Sequence, residues 1–280
     1  MRLKELAGQL GLSQTTVSRA LNGYPEVSEA TRQRVNEAAR RLGYRPNANA
    51  IRLATGRVGA VVLSAPTPRD ERIKLLTDLG MPFVVHGRSE ATVPHAWLDI
   101  DNEGALRRAT SHLLDLGHRR IAMINGPADQ TFSIHRERGF REALLARGVT
   151  PDPRLIVEAP FTDEIGFRNA QSFLDQNPRP TAIIAGSMMT ALGVFRAIRA
   201  AGLQLGKDVS MIAHDDVFPY LNADNMVPSM STTRSSIRAA GFRIGELVLQ
   251  VLAGKPPADI HELWPVELVL RESSGPPPEA

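Results

Sequence analysis

Leu12-Ser13-Gln14-Thr15-Thr16-Val17-Ser18-Arg19-Ala20-Leu21-Asn22-Gly23 is the stretch on which the reading of this chain turns. Val17, Ala20 and Leu21 recur at helical spacing and share one face, while Gln14, Thr15, Ser18, Arg19 and Asn22 fall on the others. Ser13 stands just ahead of the run, where a hydroxyl accepts from the free amides of a first helical turn. A slim helix of this kind fits the major groove of a duplex. Gln and Arg can bond adenine and guanine edges in pairs, and the hydroxyls reach phosphates or bases.

Working outward, Leu3, Leu6, Ala7 and Leu10 give a preceding helix, and Gly11-Leu12 break it. Ser28 with Glu29 opens a third helix that carries Val35, Ala38, Ala39 and Leu42 inward and stops at Gly43. Residues 1–45 thus read as helix, tight turn, helix, then a closing helix. Periodicity alone leaves open a generic three-helix bundle with a polar face.

The words of the sequence narrow that choice. Leu3-Lys4-Glu5-Leu6-Ala7, the 12–23 run, Val27-Ser28 and Leu42-Gly43-Tyr44-Arg45-Pro46-Asn47 resemble the head of the lactose-repressor (LacI/GalR) family. The resemblance implies a helix-turn-helix DNA-binding head in which Gln14, Thr15 and Arg19 read bases, with Arg19 on a guanine. Ser13, Thr16, Ser18 and Asn22 would then lie near the backbone. It also implies a homodimer on a double-stranded, pseudo-palindromic operator.

Residues 46–57 read as a hinge helix and linker. Pro46 suits a first helical position and Gly56 ends the run. About two turns of helix are too short to be stable alone in water, so folding is expected to accompany DNA binding. By the resemblance, Asn47, Ala50 and Leu53 belong to the DNA-binding set, with Leu53 wedged into the minor groove at the operator centre. An apolar wedge unstacks and kinks one base step.

From residue 58 onward, short apolar runs alternate with amphipathic helical patterns: Ala60 to Leu63, Phe83 to His86, Ala96 to Ile100, Ile121 to Asn125, Ala182 to Ala185 and Ser210 to Ala213. That rhythm marks a parallel α/β fold, whose ligands sit beyond the carboxyl ends of the strands. The family likeness continues through Asp101-Asn102-Glu103-Gly104-Ala105, Gly117-His118-Arg119-Arg120-Ile121, Arg136, Gly139-Phe140 and Asp208-Val209-Ser210-Met211-Ile212 to Asp215-Asp216. It implies a periplasmic-binding-protein-like core over 58–280, made of two Rossmann-like subdomains. Residues 58–100 with 234–263 would form one, and 101–233 with 264–280 the other.

By the same likeness, Arg136, Phe161, Ser187 and Asp215 line an effector cleft. An arginine and a carboxylate facing one cleft suit a polyhydroxylated small molecule such as a sugar, because each makes paired bonds to neighbouring hydroxyls. An internal Arg136–Asp215 ion pair is the alternative. Two departures stand out. Ser187-Met188 replaces the family's Asn-Asp, losing a carboxylate. The linker also runs almost directly into Val58-Gly59-Ala60-Val61-Val62-Leu63, which resembles the family's third core strand, although the run could instead stand in for the first. On the first assignment the N-terminal subdomain lacks about 50 to 60 residues, the size of two strand-plus-helix units, and an unpaired sheet edge is expected. Effector sensing is then in question, which leaves a constitutive or impaired DNA binder as one alternative function and a small-molecule carrier or enzyme core as another.

Composition bounds the rest. The formal net charge is +3, but residues 1–57 hold ten Lys+Arg against four Asp+Glu, while the remainder holds 23 against 26. A basic head on a mildly acidic body points to a polyanion as the head's partner. With no cysteine there is no disulfide framework and no thiolate nucleophile, which suits a reducing compartment. No cleavage-like leader or membrane-length apolar run is visible, so the expectation is a cytoplasmic protein without a membrane partner. The seven histidines lack metal-ligand spacing, and Asp215-Asp216 has no nucleophile beside it, so neither metal, cofactor nor catalysis is expected. His118 is expected in a surface turn with a structural role, and Gly275-Pro276-Pro277-Pro278 as a disordered end.

Overall fold

A computed structural model describes residues 3–21, 26–42, 58–214, 217–218 and 221–279. The chain divides into two compact units, 1–59 and 60–280.

The first unit holds α1 (Leu3–Leu10), α2 (Gln14–Leu21) and α3 (Glu29–Arg41). Leu6, Ala7, Val17, Ala20, Val27, Val35, Ala38 and Ala39 form its buried centre, with Leu10, Leu12, Leu21 and Leu42 packed around it. These are the residues that helical spacing assigns inward. Gly11 adopts φ +63, the left-handed conformation a tight turn out of α1 needs and that glycine tolerates best.

The second unit carries two sheets. One contains β1 (Val61–Ser64), β2 (Phe83–His86), β3 (Ala96–Ile100) and β11 (His261–Trp264) in the order β1-β2-β3-β11, all parallel. Its side chains alternate as strand geometry demands. Leu63, Phe83 and Val85 pack with Ile73 and Leu76 of α4 (Glu71–Asp78), whereas Val84, Ala96 and Leu98 pack with Ala240, Ile244 and Leu247 of α9 (Ile237–Leu252). The strand β1 is an edge.

The other sheet runs β12-β10-β7-β6-β4-β5, comprising β4 (Ile121–Asn125), β5 (Ile156–Glu158), β6 (Ala182–Ala185), β7 (Ser210–His214), β10 (Ser231–Arg234) and β12 (Glu267–Val269). Within it, β12 is antiparallel to β10 and the other pairs are parallel. One face is covered by α5 (Asn102–Asp115) and α6 (Thr131–Ala146), the other by α7 (Asp163–Leu174) and α8 (Met188–Ala200). A small hairpin, β8 (Val217–Phe218) with β9 (Leu221–Asn222), follows β7.

Three short segments carry the chain between the sheets: β3 to α5, β10 to α9, and β11 to β12. They are tied where they meet. The Asp101 amide donates to the Trp264 carbonyl at 2.8 Å, and Arg108 donates to the Val266 carbonyl at 2.6 Å.

Two sequence expectations need correction. The Gly-Pro-Pro-Pro tail is docked rather than loose. The Gly275 carbonyl accepts from His118 Nε2 and Ser210 Oγ, both at 2.9 Å, and its amide donates to Ser210 Oγ at 3.0 Å. Ser273 is fully buried, its hydroxyl donating to the Met211 carbonyl at 2.7 Å. His118 is accordingly buried, not in a surface turn. Because its Nε2–H serves a carbonyl, its Nδ1 accepts from Thr181 Oγ1 at 2.8 Å. Burial, opposed by that carbonyl bond, holds its imidazole below the usual histidine range.

Candidate functional site

In the head, the pattern of the 12–23 run becomes geometry. Val17 and Ala20 turn into the bundle, leaving Ser13, Gln14, Thr15 and Arg19 exposed and Thr16 and Ser18 half-buried. Ser13 Oγ accepts from the Thr16 amide at 3.0 Å and lies 2.8 Å from Thr16 Oγ1, so it caps α2. Ser28 caps α3 in the same way, accepting from the Thr31 amide at 3.3 Å. Ser13, Thr15, Thr16, Arg19, Ser28 and Thr31 line one shallow groove. Two helix N-termini open beside it, each a seat for anionic oxygens because their amides and dipoles point outward. The sequence reading missed Ser28 and Thr31 as part of this surface. Their cap signature was visible, but which face they share with α2 was not. Asn22, Asn47, Ala50 and Leu53 lie outside the described residues.

In the second unit, a cleft of about 280 Å³ opens at the carboxyl ends of the strands. One wall comes from the ends of β1, β2 and β3 with the turn after β1: Ser64, Pro66, His86 and Asp99. The opposite wall includes Asn102, Phe132, Arg136, His214 and Ser235.

A hydrogen-bonded chain runs along the cleft floor. Arg88 Nε donates to Asp99 Oδ2 at 2.8 Å, and Asn102 Nδ2 donates to Asp99 Oδ1 at 3.3 Å. Arg136 Nε donates to Asn102 Oδ1 at 2.8 Å, and its Nη1 donates to the Gly186 carbonyl at 3.0 Å. The Arg136 guanidinium lies 4.8 Å from the Phe132 ring centroid and 5.9 Å from that of Phe161, and the two rings are 6.0 Å apart. The two rings and the bonds to Asn102 and the Gly186 carbonyl together hold the guanidinium in place, with its bonding direction set in advance.

Arg136 and Phe161 are therefore brought together. Ser187 is the N-cap of α8. Its hydroxyl accepts from the Thr190 amide and donates to Thr190 Oγ1, both at 3.1 Å. Met188 is buried in the core beneath it. Asp215 lies outside the described residues, and with it the question of its pairing with Arg136.

The sequence reading missed His214, which is 4% exposed, lines the cleft and has Nδ1 2.7 Å from Thr233 Oγ1. Burial holds this imidazole well below the usual histidine range, and the Arg136 charge adds to the effect. His86 is lowered by burial against the pull of Asp99, and His135 by burial and by Arg88. The cleft is thus lined by the His86 and His214 imidazoles, the Asn102 amide, hydroxyls, the Asp99 carboxylate and the fixed Arg136, a mixed set of donors and acceptors that suits a hydroxyl-rich ligand. Among the described residues no group of three or more acidic or histidine side chains could hold a metal ion. Nor is any described helix long and apolar enough to cross a membrane.

Comparison with known proteins agrees with this geometry. Residues 2–47 match the profile of bacterial regulatory proteins of the lacI family, and 110–274 that of a periplasmic binding protein-like domain. The HTH-type transcriptional regulator AglR of Rhizobium meliloti (strain 1021) is 42% identical over 340 positions, covering 100% of this chain and 96% of the relative. Since this chain has 280 residues, at least 60 of those positions have no counterpart here. A regulatory protein of LacI family from Chloroflexus aggregans superposes with a TM-score of 0.72 at 32% identity, covering 81% of this chain and 80% of that one. The transcriptional regulator CelR in complex with cellobiose does so at 0.71 and 28%, covering 98% and 99%. With a relative that similar along its whole length, and with a head and a two-sheet core of the kind these proteins share, the chain belongs to the lacI family of bacterial regulatory proteins.

Proposed function

We propose that this protein is a sequence-specific transcription regulator, a repressor, whose paired heads bind a pseudo-palindromic operator and whose core senses a sugar-class metabolite. The observation that carries the DNA half is the exposed row Gln14, Thr15 and Arg19 on a helix anchored from behind by Val17 and Ala20. Ser13, Thr16, Ser18 and Asn22 serve the backbone, and Asn47, Ala50 and Leu53 the operator centre. Selection of bound sequences from random DNA tests it. The expected result is a two-fold symmetric motif, and Arg19→Ala should relax preference at one base pair by about 1–3 kcal/mol. Enrichment of no motif at moderate salt ends this reading.

The sensing half rests on the cleft, where Arg136, Phe161, His214 and, in this proposal, Ser187 and Asp215 surround the ligand. A relative of the same fold is known in complex with cellobiose. A ligand that prefers the arrangement with the hinges apart must weaken DNA binding, and one that prefers them together must strengthen it.

A second reading, a DNA binder that no longer responds to an effector, is favoured by the 60 or more positions without a counterpart. A thermal-shift screen against mono- and disaccharides separates the two. Stabilisation that Arg136→Ala removes supports sensing, whereas a flat response to every sugar supports its loss.

A further inference from the structure

The turn 64–70, which follows β1, reaches across the cleft and is fastened to the other lobe. The Pro66 carbonyl accepts twice from Thr131, the first residue of α6: from its amide at 3.0 Å and from its Oγ1 at 2.7 Å. Thr131 is buried. The first amides of a helix have no partner within it. In α5, α7 and α8 the side chain just ahead of the helix, Asp101, Thr162 or Ser187, meets one of them. Gln130, ahead of α6, makes no such bond, and a carbonyl from the opposite lobe stands in its place. A second tie runs alongside. Arg88, just beyond β2, has its Nη2 3.4 Å from His135 Nδ1 of α6.

The turn is braced on its own side as well. Asp70, buried, accepts from the Thr67 amide at 3.0 Å and from Arg72 Nη2 at 2.6 Å. The same Nη2 donates to the Ala65 carbonyl at 3.2 Å, and Ser89 Oγ donates to the Pro68 carbonyl at 2.8 Å. Gly87 leaves room for the proline ring, since a Cβ there would lie 2.6 Å from Pro66 Cδ. Within this frame Ala65 has φ +48, a left-handed conformation that a residue with a side chain keeps only where its surroundings over-determine it.

We propose that the 64–70 turn is a strap that holds the cleft closed in the ligand-free chain, with Thr131 as its fastening point. Ala65 and Pro66 line the cleft on one side of the crossing, Phe132 and Arg136 on the other. Release of Thr131 frees Ala65 to leave its strained conformation, so strain favours opening and the two bonds to the Pro66 carbonyl oppose it. The strap therefore has two arrangements of comparable energy rather than one rigid setting. The space it encloses is about 280 Å³, at the lower end of the size of ligand sites. A larger occupant has to undo the strap to enter, and its affinity is reduced by the fraction of chains in which the strap is undone. The strap is a property of the ligand-free chain and stands whether or not a sugar is sensed.

Thr131→Pro is the decisive variant. Proline is favoured at the first helical position, and Gln130, at φ −89 and ψ 132, already has the extended backbone that a residue before proline adopts. The substitution removes both donors to the Pro66 carbonyl while leaving α6 able to form, so circular dichroism should be unchanged. Because the chain has no cysteine, Arg69→Cys on the strap and Leu145→Cys near the far end of α6, both exposed, give a single pair of sites for spin labels. Labelled chain diluted in unlabelled chain reports distances within one molecule. Without ligand, pulsed electron resonance should show one short separation, to which Thr131→Pro adds a second, longer population. Thr131→Ser, which keeps both donors, should retain the short one. Amide exchange on the unsubstituted chain is a second readout that needs no variant to fold. The Thr131 amide, which no helical bond protects, should exchange at least about tenfold more slowly than in an unstructured peptide. Identical separations in the Thr131→Pro and parent chains overturn the proposal, and so does a Thr131 amide that exchanges at the unstructured rate.

Discussion

At the scale of single residues, the close-packed lobe is governed by glycines that look alike in sequence and differ in surroundings. A Cβ at Gly139 in α6 would lie 2.0 Å from the Glu103 carbonyl oxygen, and one at Gly193 in α8 would lie 1.9 Å from that of Asp163. Backbone cannot retreat as a flexible side chain can. These helices cross at glycine-to-backbone contact, and any added methyl must push them apart. Gly8 in α1 meets nothing within 4 Å. Gly139→Ala is therefore expected to cost about 1–3 kcal/mol through overpacking. Gly8→Ala should instead gain up to about 1 kcal/mol from helix propensity. Urea titration followed by circular dichroism reads both. Opposite signs for the same substitution check the packing argument more sharply than either value alone, and a neutral Gly139→Ala would remove it.

At the scale of elements, the strands that the sequence discloses are those with apolar runs, such as Ile121–Asn125 and Ala182–Ala185, because full burial between two helical layers demands them. In the two larger sheets, two strands escape that signal. In β10, Ser231, Thr232 and Thr233 are buried yet polar. Their hydroxyls are met by Arg271, Ser274 and His214 from elsewhere in the chain, so burial leaves no hydrophobic trace. In β11 the residues alternate between exposed and half-buried at the sheet edge, and four such residues carry too little pattern. The site divides in the same way. Arg136 stands in a recognisable motif, whereas Asp99 and Asn102 at the end of β3 share a cleft with His214 at the end of β7 only because two strand ends from different sheets converge, a property of topology rather than of local order. Helix ends were more legible. Asp101 caps α5, its Oδ1 accepting from the Gly104 amide at 2.8 Å, and it also faces Arg108 at 3.4 Å. Those two roles are separable. Asp101→Ala should lose about 1 kcal/mol of stability with the cap. Asp101→Asn keeps an acceptor there and loses only a partly exposed ion pair, worth about 0–1 kcal/mol, so it should recover most of the difference. Equal losses in denaturant midpoint would assign the effect to the charge instead.

At the scale of the whole second unit, the two sheets are joined by three short crossings and by the Arg88–Asp99–Asn102–Arg136 chain that passes between them at the cleft floor. Each lobe supplies part of the ligand wall, so ligand affinity and lobe arrangement are coupled by construction. The same floor makes the fold sensitive to acid. His214, His86 and His135 all have imidazoles lowered by burial, with Arg136 adding to the effect on the first and Arg88 on the last. In the unfolded chain they take up protons as pH falls through about 6.5, while the folded chain still excludes them. Between the unfolded value and the lowered folded values, the unfolded state binds more protons. Stability therefore declines as pH is lowered through that window and is level above it. Each such histidine contributes a slope of up to about 1.4 kcal/mol per pH unit. His214 is the most buried of the three and has the most lowered imidazole. His214→Gln should accordingly flatten the decline between pH 6.5 and 5 more than His86→Gln does. Urea unfolding in a pH series measures it, and a wild-type chain equally stable at pH 7.5 and 5 would show that the cleft floor carries no such neutral imidazoles.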